Sequence, residues 1–89
     1  PSVDNSAMDG YALRHADLAA IDGPVSVVGA SLAGHPYDGT LPTGCAIRIA
    51  TGAVIPYGAD CVIIQDNVTA NADEPIIEID PDVIARTKL

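Results

Sequence analysis

At 89 residues the chain has room for one small domain, and its core has to be aliphatic, because it contains no Trp, no Phe and only three Tyr. Four Lys and Arg against twelve Asp and Glu leave a formal charge of −8, which repels nucleic-acid phosphates and offers nothing to an anionic membrane surface. No apolar run approaches the ~20 residues of a bilayer-spanning helix, and no signal-peptide pattern opens the chain, so a cytoplasmic protein is expected.

Residues 1–10 are polar and small and end in a glycine, which predicts loop and turn. Tyr11, Ala12 and Leu13 begin a short strand. Residues 15–20 allow one helical turn with Asp17 near its start, and Asp22, Gly23 and Pro24 break it. The β-branched run over 25–30 predicts a strand. Residues 34–44 contain three Gly and two Pro and read as loops and bends. In 45–50, Ile47 and Ile49 fall on one face and Arg48 on the other, the period of a half-buried strand. Loop and turn follow over 51–60. Residues 61–65 form a short apolar run typical of a buried strand, 71–75 turn the chain, and 76–79 form another strand. Residues 83–89 read as a last edge segment or an extended tail. About five short strands with little helix and no βαβ rhythm predict one domain over 1–89. Its class is all-β or mostly β, a small barrel-like unit of coiled short strands.

Several familiar sites are absent. Gly29 to Gly34 has P-loop glycine spacing, but His35 stands where lysine is required. His15 and His35 have no partner at metal-ligand spacing. Asn67, Val68 and Thr69 match a glycosylation acceptor by chance. Asp73, Glu74, Glu78, Asp80 and Asp82 read as a solvated acidic face. Cys45 and Cys61 have neither CxxC spacing nor company and read as reduced, buried small hydrophobes.

Two segments stand apart. In Asp4-Asn5-Ser6-Ala7-Met8-Asp9-Gly10-Tyr11-Ala12, a polar loop runs straight into a strand. Asp9 there can bind a magnesium ion, accept a proton or cap an Asx-turn, and Gly10 permits backbone that other residues resist. In Arg48-Ile49-Ala50-Thr51-Gly52-Ala53 a strand ends, Thr51 presents a hydroxyl and Gly52 allows close approach. That pattern suits a ligand oxygen, or an ordinary strand end whose threonine satisfies the backbone.

Both segments resemble the signatures of the MoeA family, whose eukaryotic relatives include the C-terminal region of gephyrin. The first signature is reproduced without change from Asp4 to Ala12. The second continues through Pro56, Gly58, Ala59, Asp60, Val62 and Ile63, and departs at Asp66, where the family usually has Glu. Gly34, Pro36, Gly39 and Gly44 fit the spacer between them, and the match fades after about residue 80. The resemblance implies the small β unit, domain II, of the family's N-terminal region. It implies an enzyme, molybdopterin molybdenumtransferase, that inserts molybdate into adenylylated molybdopterin with help from a divalent cation. Such enzymes are multidomain homodimers in which a MogA-like domain carries most pterin and molybdate contacts.

On that resemblance Asp9 and Thr51 are the expected catalytic residues, and Ser6, Gly10 and Gly52 the expected substrate-binding ones. No metal-ligand set is assigned, although Asp9 can reach a magnesium ion through water. Mg2+ and molybdate belong to the parent enzyme, with none expected on this chain by itself, which should be inactive alone. The acidity is consistent with a site shared with another domain: this chain can supply carboxylates and hydroxyls, while cationic groups come from elsewhere. The competing reading is a non-catalytic spacer or dimer-supporting β module of a gephyrin-like scaffold.

Overall fold

The computed structural model describes residues 5–87; Asp4, the first residue of the first signature, lies outside them. The described chain runs β1 (Gly10–Leu13), α1 (His15–Leu18), β2 (Val25–Ser31), β3 (Cys45–Ile49), β4 (Cys61–Ile64), a 3-10 turn (Gln65–Asn67), β5 (Val68–Ala70), β6 (Ile76–Ile79) and α2 (Pro81–Thr87). The fold is mostly β, as the spacing of the apolar runs predicts.

The six strands form a single sheet in the order β4-β1-β3-β2-β6-β5. Every pairing is antiparallel except β2 with β3. The two edge strands, β4 and β5, are joined by the 3-10 turn alone. In a flat six-stranded sheet the edges would stand roughly 24 Å apart. The four Cα steps from Ile64 to Val68 reach at most about 14 Å. The sheet therefore has to curl, and it does so into a half-barrel.

Curling buries both faces of the central strands. All four residues of β1 are buried. On one face, Tyr11, Leu13, Ala46 and Ile63 cluster with Leu18, Val25, Ile77 and Ile79, and Val83 and Ile84 of α2 pack against them. On the other face, Ala12 lies directly opposite Ile47 and Gly10 opposite Ile49, and Ala12, Ile47 and Ile49 are almost wholly shielded. Both helices serve the first cluster, so the second face is closed by connecting segments, from which Leu41 and Ala53 are fully buried. Burying an Ile or Leu contributes ~2 kcal/mol. In a chain this small such residues carry most of the stability.

Three details differ from the sequence reading. Residues 83–89 are not an edge segment or extended tail: 83–87 belong to α2, and 88–89 lie outside the described residues. Asp80 explains this, because its Oδ1 accepts a hydrogen bond from Asp82 N at 2.9 Å. It thereby caps a helix whose first residue is Pro81, a position where proline loses nothing. A sixth strand, β5, pairs with β6 (Val68 with Ile79, Ala70 with Ile77). Finally, β3 is buried on both faces rather than one, since Ala46 is inside as well.

Candidate functional site

The two signature segments, more than forty residues apart in sequence, are laced together. Ser6 N donates to Ala53 O and Gly52 N donates to Ser6 O, both at 2.8 Å. Asn5 Nδ2 donates to Gly52 O at 3.0 Å. Asn5 also forms an isolated antiparallel bridge with Val54. Residues 50–53 make a tight turn closed by Ala53 N donating to Ala50 O at 3.0 Å. Gly52, at its third position, has φ +84°, while no non-glycine among the described residues has positive φ. That combination is a type II turn, which glycine at this position accepts without strain.

The turn aims Thr51 at Asp9. Thr51 N donates to Asp9 Oδ1 at 2.7 Å, and Thr51 Oγ1 donates to the same oxygen at 3.0 Å. The Asp9 main chain is fixed too, because its carbonyl accepts from Gln65 N at 3.1 Å, just past β4. The backbone N–H of Thr51 and then its hydroxyl hold the Asp9 carboxyl below its ordinary pKa. Desolvation opposes them, and a weaker attraction to Arg48 adds to the lowering. Both donors go to Oδ1, so Oδ2 carries no hydrogen bond among the described residues, on an exposed side chain. The Asx-turn reading of Asp9 is thus replaced by a bond between the two signatures.

The other expected site residues lie in the same place but are engaged in different ways. Ser6 is buried, and its hydroxyl donates to Met8 O and accepts from Met8 N, closing the loop that leads to Asp9. Gly10 has ordinary φ. Its lack of a side chain matters because a Cβ there would meet Ile63 O at 2.2 Å. Glycine at this position lets β1 lie close against β4. Gly52 faces solvent in the turn. Asp66, in place of the family's usual Glu, is exposed in the 3-10 turn that follows β4.

Ser31 had no signal in the sequence. It is completely buried at the end of β2, and its Oγ donates to Val54 O at 2.6 Å. Among the described residues no three of His, Cys, Asp and Glu converge as a metal-ligand group. Asp73, Glu74, Glu78, Asp80 and Asp82 are all exposed, and Cys45 and Cys61 are free thiols, half-buried. No described helix is long and apolar enough to cross a membrane.

Residues 1–88 match the family model described as the MoeA N-terminal region, domains I and II. The chain is 53% identical over 76 residues to a molybdopterin molybdenumtransferase of Haemophilus influenzae, covering 85% of this chain and 19% of that one. It is 49% identical over 70 residues to the Nostoc sp. protein of the same name, covering 74% of this chain and 16% of the relative. A crystal structure of a molybdopterin biosynthesis MoeA protein from Pyrococcus horikoshii superposes with TM-score 0.74 at 34% identity, over 91% of this chain and 22% of that one. The chain spans less than a fifth of the length of these curated relatives.

Proposed function

The chain belongs to the MoeA N-terminal region family, and on that premise we propose that it is part of a molybdopterin molybdenumtransferase in which Asp9, held by Thr51, works in the active-site cleft. The parent inserts molybdate into adenylylated molybdopterin during molybdenum-cofactor synthesis, in the cytoplasm and as a homodimer. A MogA-like domain or protein supplies most contacts to pterin and molybdate. One observation carries the reading: the two segments that define the family meet in a pair of hydrogen bonds that leave one carboxylate oxygen without a partner among the described residues.

The lowered pKa of Asp9 favours one chemical role over another. A general base needs a pKa near the working pH. A carboxylate held below its ordinary value is a weak base but a durable anion. Asp9 therefore acts as a fixed negative hydrogen-bond acceptor that orients water beside the adenylate phosphates, with Oδ2 facing the substrate. Thr51 holds Oδ1 still, and Ser6 and Gly52 shape the loop and turn that carry the pair. The residue that would touch a magnesium ion is Asp9, through water; when bound, the ion neutralises phosphate charge. The net charge of −8 supports a cleft whose cationic half comes from another domain.

A double-mutant cycle on the full-length protein tests this reading. If Asp9 and Thr51 act as one unit, Asp9→Asn, Thr51→Val and the double variant should be strongly non-additive. The double variant should then insert molybdenum about as slowly as Asp9→Asn alone. Independent, additive losses, or no loss in either single variant, would contradict it.

A further inference from the structure

Ser31 makes no hydrogen bond to Asp9 or Thr51 among the described residues, yet it holds the turn that carries Thr51 from both sides. Its backbone continues the β2–β3 ladder one residue further: Ser31 lies opposite Ile49, and its carbonyl accepts from Ala50 N at 3.1 Å. Its hydroxyl then reaches across the turn to donate to Val54 O at 2.6 Å. Ala50 precedes Thr51, and Val54 follows Ala53. The whole turn that presents Thr51 is therefore suspended between two bonds to one residue. The other flank is laced by Asn5 and Ser6, on the loop that carries Asp9.

We infer that Ser31 is a positioning residue for the Asp9–Thr51 pair, setting the height and angle at which the turn over residues 50–54 meets the loop of Asp9. The inference rests on the proposed role of Asp9. The chemistry required at position 31 is narrow. Alanine has no donor, so Val54 O would lose its partner in a part-buried place. Threonine would force a methyl into a site with no exposure. A freed Val54 lets the turn relax toward Thr51, whose two donors then lengthen from Asp9 Oδ1. A side chain that merely satisfied a buried polar atom would leave that pair unchanged.

The test uses the full-length protein, with Asp9 observed by carboxyl-carbon NMR and its signal assigned by loss in Asp9→Asn. In Ser31→Ala the Asp9 midpoint should move up toward the ordinary aspartate value. The kcat for molybdenum insertion should fall on the order of tenfold, less than the ~hundredfold that a full 1 Å misplacement can cost, with KM little changed. Ile77→Val, which trims the core cluster on the opposite face of the sheet, should lower Tm without either effect. If Ser31→Ala does not fold, Ser31→Cys, with its weak donor, is read in the same way. An Asp9 midpoint unmoved in the Ser31 variant overturns the inference whatever its kcat. A moved midpoint with unchanged kcat, in a protein that Asp9→Asn inactivates, also overturns it. Failure of the proposed function has a separate mark: Asp9→Asn would retain parental kcat, while the Ser31 titration would still report on the clamp.

Discussion

Asp9 is fully exposed, yet it is fixed at both its side chain and its carbonyl. Its depressed pKa has a consequence for stability that carries a definite sign. Because the folded value lies below the unfolded one, the stabilisation is present above about pH 4, the ordinary aspartate value. It is lost as pH falls through the folded value. Melting curves from neutral to strongly acidic pH should therefore show a gap between the parent and Asp9→Asn that closes at the acid end. A constant gap would mean that the charge of Asp9 does not take part. Asp9 and Thr51 could be singled out in the sequence, because Asp9 lies in a signature reproduced without change and Thr51 in one that departs only further on, at Asp66. Their mutual bond could not be, since it depends on the register that sets loop 5–9 beside turn 50–53. Ser31 was invisible for the same reason: its partner, Val54, is 23 residues away. Gly10 was noticed for backbone freedom, whereas its use is a close approach to Ile63 that only the strand pairing creates.

Among the elements, the strands of four or more residues were readable. β5 has three, half-buried at Val68 and exposed at Thr69 and Ala70, too short to establish a period. α2 did have a signal: Asp80 followed by Pro81 is a helix-start pair. The β-branched Val83 and Ile84 drew attention toward an edge strand instead. β1 is the element on which the site depends most, since it carries Asp9 at its entrance and is paired on both sides, with β3 and β4. Gly10→Ala tests its fit. The new Cβ would meet a backbone oxygen at 2.2 Å, which cannot swing aside as a flexible side chain could. The variant should lose ~1–3 kcal/mol, as overpacked sites do, in denaturant unfolding. An unchanged midpoint would show that β1 and β4 can separate at no cost, and that the tight pairing does not hold the Asp9 loop.

For the molecule as a whole, the antiparallel pairing of β1 with β3 gathers both signatures at one place, where β1 begins and β3 ends. The apolar hollow beside α2, lined by Gly23, Glu78, Ile79, Pro81, Ile84 and Ala85, contains none of their residues. On the proposed reading the cleft is shared with another domain, and the overall acidity is consistent with that. This chain alone should therefore give no turnover of adenylylated molybdopterin and molybdate, measured as molybdenum cofactor formed; turnover by this chain alone would refute the shared cleft. The account stands or falls on the Asp9 carboxylate, and the most direct measurement is paired: Tm and the rate of molybdenum insertion on one preparation of full-length Asp9→Asn. An amide keeps the shape and can still accept from Thr51, so the variant should fold, with Tm near neutral pH lowered only by the charge contribution that the pH series reads. The rate should fall on the order of a hundredfold, as when a group that acts mainly in the transition state is removed. A near-parental rate in that folded protein would contradict the account.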